Sequence, residues 1–433
     1  MHARRIALRL LLVPLLAGIL VAIVCTLNRR GEAAIPEHPA PFHPTPAQIE
    51  RGAYLALAGN CAGCHTTRGG MPYAGGRGIA TPFGTVYASN LTPDQATGIG
   101  GWSADHFWRA LHNGRSRDGR LLYPAFPYPS YTLVTREDSD ALYAYLHSLP
   151  PVQQATRPHE LRFPYDTRAA LAVWRALFFR AGPQEGMAPE PGKSTQWMRG
   201  AYLVRGLGHC AACHSERNAM GATSSGQYEL GGGLIPMQNW YAPSLAAAHE
   251  AGVADWPQAE VVALLRDGVA PRGSVLGPMA EVVFRSTSRL HAADLDAIAV
   301  FLKDLPQSGP AVPQAAQPAD PEVMRKGAAL YGKHCADCHG ETGQGARGAY
   351  PALAGNRAVT LDVPANLVKV VLAGGFPPST AGHPRPYGMP PFTQTLDDAD
   401  IAAVLTYIRG SWGHAAAPVS ALDVLRYRQG EMP

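Results

Sequence analysis

The sequence predicts an all-α chain of three tandem domains, and three observations carry that prediction. A pentapeptide recurs as Cys61-Ala62-Gly63-Cys64-His65, Cys210-Ala211-Ala212-Cys213-His214 and Cys335-Ala336-Asp337-Cys338-His339. Each copy follows a short stretch with apolar residues at helical spacing, at 48–55, 196–203 and 323–330. Each unit closes on another such stretch, at 138–146, 293–302 and 398–408, with acidic residues in its first turn, where the helix dipole favours them. A helix leading into the pentapeptide and a closing helix that crosses it define each domain.

The pentapeptide has a specific chemistry. Two thiols three positions apart can form thioethers to both vinyl groups of a porphyrin while the next imidazole meets the iron, so Cys-x-x-Cys-His is the attachment signature of c-type haem. A Cys-x-x-Cys pair also serves redox centres and halves of zinc sites. Here, however, six of the seven cysteines lie in the motif, no further pair remains to complete a four-thiolate site, and histidine follows every time. Each copy therefore reads as one covalent haem, three in all. Cys61, Cys64, Cys210, Cys213, Cys335 and Cys338 hold the porphyrins, and His65, His214 and His339 ligate the irons.

Length and composition agree. A chain of 433 residues suits about three domains, and the motifs lie 149 and then 125 residues apart. The 46 glycines and 39 prolines suit loop-rich domains in which a flat apolar cofactor supplies much of the core. With 16% charged residues and a net charge of +4, nothing points to nucleic acid. The committed cysteines leave no disulfide framework.

In chain order, Arg4, Arg5 and Arg9 precede an uncharged apolar run over residues 10–27. This pattern reads as an export segment over 1–33. Its 18 residues also reach the lower limit of a membrane span, so a cleaved signal peptide and a retained anchor both stand. Gly31-Glu32-Ala33 offers a small-x-small cleavage site, whereas Arg29 and Arg30 are unusual after a cleaved peptide. A Pro-rich spacer over 33–46 leads to the first domain, 46–150. An inter-domain segment, 151–195, carries an apolar-aromatic run with Trp174, Leu177, Phe178 and Phe179. It reads as a helix packed between domains, with a docking surface for a partner or bilayer as the rival. The second domain spans 196–307, a linker 308–320, the third domain 321–413 and a C-terminal tail 414–433. The first two domains share a mid-domain segment, Gly98-Ile99-Gly100-Gly101-Trp102 and Gly252-Val253-Ala254-Asp255-Trp256, each before a helix.

The second axial position separates the domains. Met279 lies 65 residues after His214, and Met389 lies 50 after His339, each beside proline in a loop ahead of the closing helix. A thioether there raises the haem potential and fills the site, which suits electron transfer. In the first domain the matching loop, Tyr123-Pro124-Ala125-Phe126-Pro127-Tyr128, holds Phe126, whose phenyl cannot donate to iron. That haem is either five-coordinate or takes another ligand. His106 and His112 lie on the middle helix, from which either could in principle reach across to this haem, though both read more readily as surface histidines.

At this depth the chain from about residue 46 resembles the triple-haem cytochrome c subunit of bacterial membrane-bound dehydrogenases, the family serving alcohol, gluconate and sorbitol dehydrogenases. The resemblance rests on Arg51-Gly52-Ala53-Tyr54-Leu55, Thr81-Pro82-Phe83-Gly84-Thr85, Thr97-Gly98-Ile99-Gly100-Gly101-Trp102, Arg199-Gly200-Ala201-Tyr202-Leu203, Gly277-Pro278-Met279-Ala280-Glu281-Val282-Val283 and Ser411-Trp412-Gly413. It implies a subunit on the periplasmic side of the inner membrane. Such a subunit takes electrons from a dehydrogenase of quinoprotein, flavoprotein or molybdopterin type and passes them to ubiquinone or another acceptor. Phe126 departs from the alcohol-oxidising members, which usually carry methionine there; cytochromes accompanying periplasmic molybdenum hydroxylases are similar to this chain in having phenylalanine. The expected function is electron transfer, with substrate oxidised on another chain. The alternative is a haem enzyme that binds or reduces a small ligand, such as peroxide, at the first haem.

Overall fold

The computed structural model describes residues 2–38, 41–183, 186–226, 229–308 and 318–428, with side chains from Val13 onward. Most of the linker expected at 308–320 and the last five residues of the tail lie outside the described residues. Contact density divides the chain into two compact units, residues 1–56 with 64–188, and residues 57–63 with 189–433.

The first unit contains α1 (His2–Arg29), α2 (Pro46–Ala58), α4 (Ala104–Asn113), the short α5 (Tyr128–Tyr131), α6 (Arg136–Ser148) and α7 (Arg168–Phe178). The helical turn α3 (Cys61–His65), which carries the first motif, falls where the two units divide. Strands β1 (Gly78–Thr81), β2 (Gly84–Tyr87) and β3 (Glu160–Leu161) form an antiparallel sheet in the order β1-β2-β3. The helix starts follow local chemistry. Ser103 caps α4, Thr135 caps α6 by accepting the Asp138 N–H, and Glu137 and Asp138 sit in the first turn of α6.

The second unit begins with α8 (Thr195–Ala201), which continues as a π-helical stretch, Tyr202–Leu207, before the motif turn α9 (Ala211–His214). The Gly208 N–H reaches back five residues to the Leu203 carbonyl, so this lead-in is wider than the uniform helix expected from its sequence. Next come the hairpin β4 (Gly233–Ile235) and β5 (Trp240–Ala242), α10 (Gln258–Asp267), the hairpin β6 (Val269–Ala270) and β7 (Gly273–Ser274), α11 (Pro278–Arg285) and α12 (Ala292–Lys303). The chain ends with α13 (Pro321–His334), the motif turn α14 (Ala336–His339), α15 (Arg357–Thr360), α16 (Ala365–Ala373), α17 (Asp398–Gly410) and α18 (Ala421–Arg428). Helices dominate, and the three small antiparallel sheets are what an all-α expectation leaves out.

One helix crossing occurs three times among the described residues. On the leading helices α2, α8 and α13, a glycine lies against the closing helices α6, α12 and α17. A methyl added at Gly52 would sit 1.8 Å from the Ala141 carbonyl oxygen, at Gly200 2.0 Å from that of Ala297, and at Gly327 2.3 Å from that of Ala403. Only glycine permits such an approach. The residue before each glycine is cationic and pairs with an aspartate three positions before that alanine: Arg51 with Asp138 at 2.5 Å, Arg199 with Asp294 at 2.8 Å and Lys326 with Asp400 at 2.7 Å. The charge pair fixes the register while the glycine fixes the separation.

Within the second unit, the segment around α10 and the hairpins is tied to α15 and α16. Asn366 on α16 accepts the Tyr241 N–H and donates to the Tyr241 carbonyl, both at 2.8 Å. Arg357 reaches both Asp255 oxygens and stacks over Trp256, 5.3 Å from its centroid. Around α17, a core of Val368, Ile401, Val404 and Leu405 extends to Val424 and Tyr427 of α18, so residues of the expected tail are core residues. Arg409 is fully buried and satisfied by the carbonyls of Val359, Leu361 and Ala417, and burial lowers its pKa to about 10. Among the residues whose side chains are described, from Val13 onward, no helix is long and apolar enough to cross a membrane.

Two outcomes follow from the crossings. Gly200→Ala must separate α8 from α12 and should cost about 1–3 kcal/mol of stability, read by thermal unfolding of the matured protein. Gly332→Ala, where nothing lies within 4 Å, should be neutral or stabilising; equal losses at both positions would contradict the account. The second concerns pH. A hydrogen bond from Lys326 holds the Asp400 carboxyl below its ordinary value. A depressed folded-state pKa contributes stability above the ordinary carboxylate range and loses it as pH falls through the folded value. Lys326→Met should therefore lose less stability than the parent between about pH 7 and pH 3, measured by denaturant titration.

Candidate haem-binding sites

The three motifs fold alike. Each is one helical turn, and the i, i+3 spacing of its cysteines sets both thiols on one face with the histidine next in line. None of the six motif cysteines is joined in a disulfide, so each pair is available to a porphyrin.

The histidines are held identically. The Nδ1 of His65 lies 2.7 Å from the Ser89 carbonyl, that of His214 2.8 Å from the Pro243 carbonyl, and that of His339 3.0 Å from the Pro351 carbonyl. A carbonyl only accepts, so each Nδ1 carries the proton and each Nε2 keeps its lone pair for a metal. Burial pushes all three pKa values down, against the raising effect of that hydrogen bond, and keeps the rings neutral. This is the outer-shell support an iron-ligating histidine needs. The donor set of two thiols and one oriented imidazole fits covalent haem.

The segments that hold the histidines also touch the loops expected on the opposite haem face. In the second unit, β5 ends one residue before Pro243, and its Trp240 ring packs under Gly277, two residues before Met279. A methyl at Gly277 would lie 2.6 Å from that ring, and its φ of +50° is a conformation that suits glycine. Near the third motif, the Tyr350 ring, beside Pro351, lies 5.2 Å from the ring of Tyr387, two residues before Met389. Met389 itself bridges Gly375 through both backbone hydrogen bonds, at 2.8 and 3.0 Å. In the first unit the link runs through His159, whose Nδ1 accepts the Tyr87 N–H at 3.2 Å and whose ring stands 5.1 Å from Tyr123, three residues before Phe126. Phe126 packs on Tyr131 at 5.3 Å, as an aromatic residue of its loop.

One site expectation changes. His112 is not a surface histidine. It is fully buried on α4 and stacked on Trp108 at 4.5 Å, and burial lowers its pKa. Its helix is amphipathic, and position 112 belongs to the buried face with Trp108 and Leu111. His106 is occupied locally, since its Nδ1 accepts the Ser103 N–H in a capping box. Sequence reasoning missed the carbonyls of Ser89, Pro243 and Pro351. They lie 24, 29 and 12 residues beyond their histidines, a spacing that carries no pattern.

Within the second unit, the residues that lead into the first motif lie beside the lead-in of the second. His209, just before Cys210, places Nε2 3.3 Å from the carbonyl of Gly59, two residues before Cys61, and Ser286 donates to Ala58. Asn60 and His209, each preceding a first cysteine, have φ of 48° and 39°.

The cytochrome c family model matches residues 49–150 and 324–412. The chain is 38% identical over 405 residues to the cytochrome c subunit of alcohol dehydrogenase (quinone) from Gluconacetobacter polyoxogenes, covering 89% of this chain and 85% of that one. It is 37% identical to the gluconate 2-dehydrogenase cytochrome c subunit of Pantoea cypripedii, covering 89% and 90%. A nicotinate dehydrogenase subunit of Pseudomonas putida is 41% identical over 404 residues, 91% of this chain but 33% of that longer protein. Sites and sequence agree that the chain belongs to the family of cytochrome c subunits of bacterial alcohol, gluconate and fructose dehydrogenases.

Proposed function

We propose that the chain is a periplasmic, membrane-associated triple-haem cytochrome that carries electrons from a partner dehydrogenase to ubiquinone or the respiratory chain, built as domains at 46–150, 196–307 and 321–413. The observation that carries this reading is the threefold recurrence of Cys-x-x-Cys-His with Nδ1 of the histidine fixed on a carbonyl. Cys61, Cys64, Cys210, Cys213, Cys335 and Cys338 hold three haems, and His65, His214 and His339 ligate through Nε2. Haem iron supplies reversible one-electron chemistry. Met279 and Met389, on loops braced against the histidine-bearing segments, complete two of the sites and keep small ligands out.

Substrate oxidation belongs to a partner chain, a reading supported by relatives that are cytochrome c subunits of dehydrogenases. The relatives serve alcohol, gluconate and nicotinate dehydrogenases, which is consistent with a quinoprotein, flavoprotein or molybdopterin partner. Phe126 favours a second reading for the first site alone, a haem enzyme that binds or reduces a small ligand there.

Carbon monoxide titration of the reduced protein separates the readings. One ligand-binding haem of three is expected, and Phe126→Met should abolish its binding and raise that haem's potential while dehydrogenase-coupled reduction continues. Met279→Ala or Met389→Ala should open one further site each. Electron transfer is overturned as the function if Phe126→Met destroys the activity, and the methionine assignment if both alanine variants bind no additional ligand.

A further inference from the structure

The foot of α1 is built into the first unit. Arg175 of α7 is 3% exposed, and a buried guanidinium needs acceptors for its N–H groups. It donates from Nε to the Asn28 side-chain oxygen at 3.0 Å and from Nη1 to the Asn113 carbonyl at 2.7 Å, and lies over the rings of Tyr128 and Phe179. Asn28, itself buried, donates to the Ala172 carbonyl at 2.9 Å. Arg115 donates to the Glu32 carboxylate at 2.7 Å and to the Asn28 carbonyl at 3.0 Å. Arg109 approaches the other Glu32 oxygen at 3.8 Å, and Asn113 donates to the Gly31 carbonyl at 3.3 Å. Cleavage after Ala33 would remove the Asn28 and Glu32 acceptors, which serve three arginines, one of them almost wholly buried, and the Gly31 carbonyl that accepts from Asn113. Stripping a buried cation of its partners is strongly unfavourable.

Above this foot the helix has the opposite character. Val13, Leu15, Leu16, Ile19, Leu20, Val21 and Ile23 are 48–67% exposed around its circumference. A helix apolar on every side needs an apolar solvent. The uncharged run at 10–27 is flanked by Arg9 and by Arg29 with Arg30, as in a segment held in lipid with its ends at the headgroups. On α7, Val173 and Leu177 are exposed on the face turned away from Arg175, and Phe178 is exposed nearer to it.

We propose that residues 1–33 are not removed on export, and that α1 is retained as a lipid-embedded anchor whose base, Asn28 to Glu32, is a structural part of the first unit. This rests on the exported, membrane-side reading above. The bilayer is the occupant because the exposed surface encircles the helix, whereas a protein partner would cover one stripe.

The intact mass of holoprotein purified from membranes tests retention. A chain that still contains residues 1–33 is expected; an N-terminus between residues 28 and 36 overturns the proposal. Haem on that same species keeps the two claims apart, since a shortened chain with covalent haem refutes retention alone and a full-length chain without it refutes the cytochrome reading alone. Holoprotein should stay with membranes through an alkaline wash, and release of full-length chain refutes lipid embedding. In the full chain, Asn28→Ala with Glu32→Gln leaves the apolar run untouched. It should lower the melting midpoint of the first unit, and an unchanged midpoint overturns the structural role of the foot.

Discussion

An imidazole can serve iron through one nitrogen only when the other is spoken for, and much of this structure exists to arrange that. The carbonyls of Ser89, Pro243 and Pro351 take the Nδ1 protons of His65, His214 and His339, and burial keeps the rings neutral. Each carbonyl sits in a segment that also touches the loop expected to face the other side of the haem, through Tyr87 and His159, Trp240, or Tyr350. The loops that carry Met279 and Met389 are thus braced against the segments that orient His214 and His339.

Behind each site stands the glycine-on-carbonyl crossing with its cation–aspartate pair. The crossing delivers the motif turn at the end of a fixed helix, so the thiols and imidazole are presented by rigid backbone. The first site keeps every part of this scaffold and differs only in its distal loop, where Phe126 packs among tyrosines.

The sequence made much of this legible, for physical reasons. The motifs are covalent chemistry written in five consecutive residues. The leading and closing helices carry apolar periodicity and acidic first turns, and they run close to the expected bounds, as with Asp398–Gly410 against 398–408. Arg51-Gly52 and Arg199-Gly200 marked the resemblance, but why glycine follows the cation became visible only beside Ala141 and Ala297, some ninety residues on. Backbone carbonyls have no letter in a sequence, so the histidine acceptors were invisible. His112 looked like a surface residue because one histidine on an amphipathic helix does not declare its face. The partnership of Arg175 with Asn28, 147 residues apart, was equally hidden, and with it the contacts that tie the leader to the first unit.

The central claim is that one site architecture is built three times. Intact mass spectrometry of matured protein, read with the absorbance of its reduced pyridine complex, tests it most directly. The account predicts three covalent haems per chain, all with the saturated side chains of thioether attachment. Two or fewer on fully matured protein, or haem that extracts into acidic acetone, would contradict it.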